Sequence, residues 1–115
     1  MTWEALEAVL EDTGLPYFRQ GSLMEDEPYP DSFFTFWNLS TEEERFYDDE
    51  PHAAVWTWQV YFYTRDPGIL YTQMDALLAS ARSAGFIPAS RAFDLASDLD
   101  EWSGRTVRLQ YVQTI

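Results

Sequence analysis

Residues 53–64, with the sequence AAVWTWQVYFYT, alternate two sets of large side chains with a period of two. This period places the sets on opposite faces of a β-strand and does not fit a helix. At about 3.3 Å per residue the strand spans about 40 Å, which is long for a chain of 115 residues. We therefore predict that one end of the strand projects as half of a long β-hairpin. One set is Trp56, Trp58, Val60 and Phe62, and the other is Val55, Thr57, Gln59, Tyr61 and Tyr63.

Two other segments carry the apolar periodicity and the end signals of helices. In the first, Thr2 is a predicted N-cap and Gly14 ends the pattern. In the second, Asp66 is a predicted N-cap, Pro67 takes the first helical position and Gly85 follows the last periodic residue. The buried stripe of the second helix is predicted to comprise Ile69, Leu70, Met74, Leu77, Leu78 and Ala81.

The order of these segments indicates the fold class. Further strands are predicted at residues 17–20, 33–39, 90–95 and 106–113. Strands grouped between and after two helices, without a repeated strand–helix alternation, favour an α+β fold. We predict a single domain over residues 1–115, with a mainly antiparallel β-sheet and both α-helices packed on one face.

The charge balance excludes several classes of function. The chain has 20 acidic residues against 7 arginines and a net charge of -13. Such a surface repels phosphate backbones and anionic membranes, so we expect no sequence-specific nucleic acid and no membrane partner. There is no cysteine or lysine to act as a nucleophile, and the single histidine, His52, lies in an acidic and proline-containing run. We therefore expect a protein that is not an enzyme and uses no cofactor and no metal.

Half of the acidic residues fall between positions 25 and 50, in two segments that we predict to be loops. Residues 40–52 form the second of these, a long connection of the kind that binds partners. We predict that the acidic loops face a partner or line a channel through which DNA passes; the alternative is two solvated loops. The residues concerned are Glu25, Asp26, Glu27, Glu42, Glu43, Glu44, Asp48, Asp49 and Glu50.

The predicted sheet has large aromatic side chains on both of its faces. Two helices on one face leave the other face to water or to another chain, and contiguous exposed apolar surface usually marks an interface. We therefore favour self-association over a monomer with an aromatic groove. The residues predicted for the protein interface are Phe34, Phe36, Phe46, Tyr47, Tyr61 and Tyr63.

Three segments together resemble a known family. They are residues 33–37, the run Phe46-Tyr47-Asp48-Asp49, and the strand and turn WQVYFYTRDP at residues 58–67. The chain is similar in these segments to the tail-terminator, or tail-completion, proteins of long-tailed bacteriophages and prophages. The similarity covers residues 17–112.

The resemblance implies a structural virion protein at the tail–head junction, assembled in the cytoplasm of the host bacterium. Proteins of this family form a ring, usually a hexamer, that binds the end of the tail tube, stops its growth and joins it to head-completion proteins. The partners implied are therefore further copies of the chain, the tail-tube protein and a head-completion or connector protein. An acidic lumen in such a ring lets DNA pass without sticking.

A second reading rests on the charge alone. An acidic protein can mimic DNA and occupy the basic groove of a nucleic-acid enzyme as an inhibitor. This alternative predicts a compact monomer or dimer with carboxylates arranged at the spacing of phosphates.

Overall fold

The computed structural model describes residues 2–19, 30–45, 51–95 and 102–114. It is an α+β fold in which two α-helices accompany a six-stranded sheet that is antiparallel apart from one parallel pair. The fold class predicted from the sequence is therefore confirmed. The elements are α1 (Thr2–Asp12), β1 (Tyr17–Arg19), β2 (Ser32–Arg45), β3 (Pro51–Thr64), a 3-10 turn (Pro67–Ile69), α2 (Leu70–Ser83), β4 (Ile87–Pro88), β5 (Phe93–Leu95) and β6 (Ser103–Thr114).

The predicted long strand is β3, and it lies at the centre of the sheet. The strand order is β1-β2-β3-β6-β4, with β5 also paired to β6. β2 pairs with β3 along their length, and β6 pairs with β3 from Ala53 opposite Thr114 to Thr64 opposite Ser103. β3 is thus flanked on both sides and forms the middle of a three-stranded ribbon. That the end of the hairpin projects from the domain stays a prediction.

The core lies between one face of the sheet and the two helices. β3 contributes Trp58, Val60 and Phe62, three of the four residues of one predicted set, and the fourth, Trp56, is partly buried against the core. Phe34 of β2 packs on Phe62 with ring centroids 4.6 Å apart. Both helices therefore pack on the same face, as predicted. Their buried contributions are Leu6, Val9 and Leu10 from α1 and Leu70, Met74, Leu77 and Ala81 from α2.

The predicted end signals of α2 are present in the structure, but the α-helix begins later than predicted. The Oδ1 atom of Asp66 accepts a hydrogen bond of 2.9 Å from the backbone N–H of Gly68, but this caps the 3-10 turn, and the α-helix begins at Leu70. At the other end Gly85 has φ of +97°, a region that favours glycine. Phe86 N–H donates to Ala81 C=O and Gly85 N–H to Arg82 C=O, the paired bonds of a Schellman motif.

One predicted loop is largely strand. β2 continues to Arg45 and β3 begins at Pro51, so the connection shrinks from residues 40–52 to residues 46–50, which lie outside the described part of the chain. The prediction that Glu42, Glu43 and Glu44 are loop residues was wrong, because they pair with residues 53–55 of β3. The backbone ladder to β3 overrides the weak strand preference of glutamate. The acidic residues Glu25, Asp26, Glu27, Asp48, Asp49 and Glu50 lie outside the described residues.

Candidate protein-interaction surface

The face of the sheet opposite the helices is called here the open face. Residues that oppose each other across an antiparallel ladder point to the same side, so the register assigns its members. Neither described helix packs on this face, because the core cluster takes its sheet residues from the other side. The open face carries Phe33, Thr35 and Trp37 of β2, Val55, Thr57, Gln59, Tyr61 and Tyr63 of β3, Gly104, Thr106, Arg108, Gln110 and Val112 of β6, and Ile87, Phe93 and Leu95 of β4 and β5.

One end of the open face holds a cluster of aromatic rings. Phe33 contacts Phe18, Tyr63 and Trp102, with ring centroids 5.5–6.0 Å apart, and it is buried although neither of the described helices covers it. Tyr61 stacks on Tyr63 with centroids 6.1 Å apart and ring planes 7° from parallel. Both tyrosines are half-buried, and this burial raises the pKa of Tyr63 above its ordinary value. The cluster is therefore a rigid, partly sheltered platform.

Gly104 makes room for this platform. A Cβ atom at this position would lie 3.2 Å from the ring of Tyr63 and 3.2 Å from Cδ1 of Leu95. The glycine leaves space for the tyrosine ring beside the backbone of β6. The ring's position thus depends on the absence of a side chain on the neighbouring strand.

A network of hydrogen bonds occupies the centre of the open face. The Nε2 atom of Gln59 donates to Oγ1 of Thr106 over 2.5 Å, and Thr106 donates in turn to the carbonyl of Val60 over 2.8 Å. Arg108 Nε donates to Oε1 of Gln59 over 2.9 Å. Gln59 and Thr106 are buried, so the bonds from Gln59 to Thr106 and from Thr106 to Val60 are made in a low dielectric and fix these side chains in place. The open face therefore presents a preorganised polar centre.

Exposed apolar side chains surround this centre on several strands. Trp37 is 39% exposed, Phe93 52%, Ile87 57% and Val112 53%. The register places all four on the open face. Exposed aromatic and aliphatic side chains grouped on one face are typical of surfaces that bind other proteins.

The six residues predicted for the interface separate into three groups. Tyr61 and Tyr63 are brought together on the open face. Phe34 and Phe36 are buried in the core under the helices, opposite Phe62 and Val60, so their placement on an outward surface was wrong. Both faces of β2 carry aromatic residues, Phe33 and Trp37 on one and Phe34 and Phe36 on the other, so the sequence alone does not indicate which face points inward. Phe46 and Tyr47 lie outside the described residues.

Sequence reasoning missed several members of the open face. The exposed residues Trp37, Ile87, Phe93 and Val112 were not among the residues predicted for the interface. The alternation of β3 placed Gln59 on the same face as Tyr61 and Tyr63, and this was the signal in the sequence for a member of the open face. The remaining members depend on the register of β4, β5 and β6.

Within the described ranges, no group of three or more histidine or acidic side chains is placed to hold a metal ion. In the same part of the chain no helix is both long and apolar enough to cross a bilayer. Comparison of the sequence with protein-family models and with curated proteins finds no match.

Proposed function

We propose that this chain is a structural virion protein that forms a ring on the end of a phage tail tube, ends tube growth and joins the tail to head-completion proteins. In this role its open face is buried against neighbouring copies and the tube. The observation that carries the proposal is the open face itself, with exposed Trp37, Phe93, Ile87 and Val112 around a rigid centre.

Three properties of the open face support a protein partner. The tyrosine stack and the Gln59 network are already ordered, so little conformational entropy is lost when another chain covers them. Rigid aromatic and amphipathic side chains of this kind provide much of the contact energy at interfaces. The mixture of apolar and hydrogen-bonded polar groups also suits a surface that meets water before assembly.

The net charge of -13 supports the position on a DNA-conducting tube. Binding of DNA by proteins draws on cations that replace the counterions of the phosphates. A strongly acidic ring lacks that source of affinity, so DNA passes it without being retained.

The test is tube growth in vitro. Tail-tube protein from the same phage is polymerised with increasing amounts of this chain, and tube lengths are measured by negative-stain electron microscopy. The mean length is expected to fall as the ratio of this chain to tube protein rises, because each capped end stops adding subunits.

A matched pair of variants assigns the effect to the open face. Trp37→Thr changes a tryptophan that is 39% exposed on the open face, and Trp3→Thr changes one that is 37% exposed on α1. Trp37→Thr is expected to lose most of the shortening and Trp3→Thr to keep it, with folding of both checked by circular dichroism and urea unfolding. Tube lengths that do not respond to the wild-type chain at any ratio would contradict the proposal. If the chain instead competed with DNA for a nuclease, the DNA-mimic reading would replace it.

A further inference from the structure

Arg108 is a positive charge in the middle of the open face. It lies on β6 opposite Gln59, and Gln59 lies opposite Trp37, so the three residues form one row across the sheet. In the rows that run from Tyr63 to Thr57, Arg108 is the only charged residue that the register places on the open face of the described strands. The chain has 20 acidic residues, and none of them falls on this part of the described strands.

The guanidinium group of Arg108 is held in position but is not neutralised. Its Nε atom donates to Oε1 of Gln59 over 2.9 Å, and Gln59 is itself fixed by its bond to Thr106. Arg108 is exposed, and it forms no ion pair with any residue that the structure describes. Its terminal nitrogens, Nη1 and Nη2, have no hydrogen-bond partner among the same residues. They form a planar fork that matches the two oxygens of a carboxylate.

Exposed apolar side chains flank this fork. The neighbours of position 108 on the open face of β6 are positions 106 and 110, and Phe93 lies opposite the first and Ile87 opposite the second. Both side chains are more than half exposed. Trp37 lies on the other flank, two strands away from Arg108. Arginine and tryptophan are enriched among the residues that dominate the binding energy of protein interfaces.

A partner that covers the open face must deal with the charge of Arg108. Removing a guanidinium group from water without a counter-ion is costly, whereas a carboxylate on its fork offsets much of that cost. The described strands supply no carboxylate in these rows, so the partner has to bring one. A second copy of this chain can do so, because its 20 acidic residues outnumber its 7 arginines.

We infer that Arg108 is the charged anchor of the open face and binds a carboxylate on a second copy of this chain. The carboxylate lies on a different surface of that copy, because two open faces centred on these rows would bring their arginines together without an acid between them. Contact between unlike surfaces is head-to-tail, and it closes into a ring when the rotation between copies closes. Repulsion between the two acidic molecules is screened beyond about 8 Å at physiological salt, whereas a desolvated ion pair is screened much less. The inference rests on the self-association in the proposed function and names its anchor.

The first test neutralises one arginine and measures self-association by sedimentation velocity. Arg108→Gln is expected to weaken self-association at least about thirtyfold, because it leaves the carboxylate of the neighbouring copy buried without a cation. Arg82→Gln removes the same charge from an exposed arginine in the last turn of α2 and is expected to leave association unchanged. Urea unfolding checks that both variants fold. Association of Arg108→Gln at or above the wild-type level overturns the inference, since no buried carboxylate would then depend on this charge.

The second test asks whether the contact joins unlike surfaces. A trace of Arg108→Gln, labelled with a fluorophore at its N-terminus, is titrated with unlabelled wild type. The variant keeps its own carboxylate surface, so it is expected to bind the open face of the wild type with the affinity measured between two wild-type copies. Weaker binding would mean that both copies use the open face in the contact, and it would overturn the head-to-tail arrangement.

The outcomes separate this inference from the proposed function. If Arg108→Gln associates normally while the wild type shortens tail tubes, the proposed function stands and the anchor is wrong. If Arg108→Gln loses association but the wild type never shortens tubes, the anchor stands and the proposed function is wrong. A wild type that stays monomeric with and without tube protein overturns both.

Discussion

The same substitution at two positions of β6 distinguishes the covered face of the sheet from the open face. Val107 is fully buried under the helices, and Val112 is 53% exposed on the opposite face. Threonine has the size and the β-branching of valine, so Val107→Thr and Val112→Thr both preserve shape and strand preference. They differ in whether the new hydroxyl group meets water.

The magnitude follows from that difference. At Val107 the hydroxyl enters the apolar core beside Val60, its partner across the ladder, and an unsatisfied buried hydroxyl costs about 1–3 kcal/mol. At Val112 the hydroxyl remains solvated and the change stays within about 0.5 kcal/mol. A domain of this length has a free energy of unfolding of about 6–17 kcal/mol, so the first effect is measurable and the second nearly invisible.

Urea unfolding followed by tryptophan fluorescence measures both free energies. The unfolding is measured at protein concentrations at which the chain sediments as a monomer, because Val112 lies on the candidate interface. Equal losses at the two positions would refute the reasoning, since they would mean that both faces are covered. A loss confined to Val112 would mean that the faces are reversed.

Three further predictions concern the packing of the core, the end of α2 and the ion pair between Arg105 and Asp94. Phe36→Ala, which empties a core position assigned to the surface by sequence alone, is expected to lower the free energy of unfolding in urea by about 3–5 kcal/mol. Gly85→Ala places a side chain at φ of +97° and is expected to lower the melting stability by about 1–3 kcal/mol in calorimetry. Hydrogen bonds from Tyr71 and Arg105 hold the pKa of Asp94 below its ordinary value, so this carboxylate stabilises the fold above about pH 4, and the contribution is lost as the pH falls through the folded-state pKa. Asp94→Asn is expected to reduce the acid-induced loss of stability in urea titrations from pH 6 to pH 2, and an unchanged profile would contradict that assignment.

Much of the fold could be predicted because local signals were strong. The period of two in β3 identified both its faces, and Asp66 and Gly85 marked the ends of the second helical region, although its first turn is a 3-10 turn. These signals depend only on neighbouring residues. They can therefore be recognised in the sequence before the tertiary contacts are known.

The errors arose where the outcome depends on distant partners. Phe34 and Phe36 face the core because of their register with β3, and a strand that is aromatic at adjacent positions does not reveal that register. Glu42, Glu43 and Glu44 resemble a loop in composition but are held in a strand by the ladder to β3. The surface depression lined by Arg82, Arg91 and Arg105 was not predicted either, because its walls, α2, the segment joining β4 to β5 and the start of β6, are distant in sequence and meet only in the folded chain.

Native mass spectrometry of this chain, alone and mixed with the tail-tube protein of the phage proposed to carry it, tests the proposal that the chain forms a closed ring. The account predicts one discrete assembly, about 80 kDa for six copies of the 13.4 kDa chain, either free or bound to tube protein. Spectra that contain only the 13.4 kDa monomer in both samples, at every concentration, would contradict it.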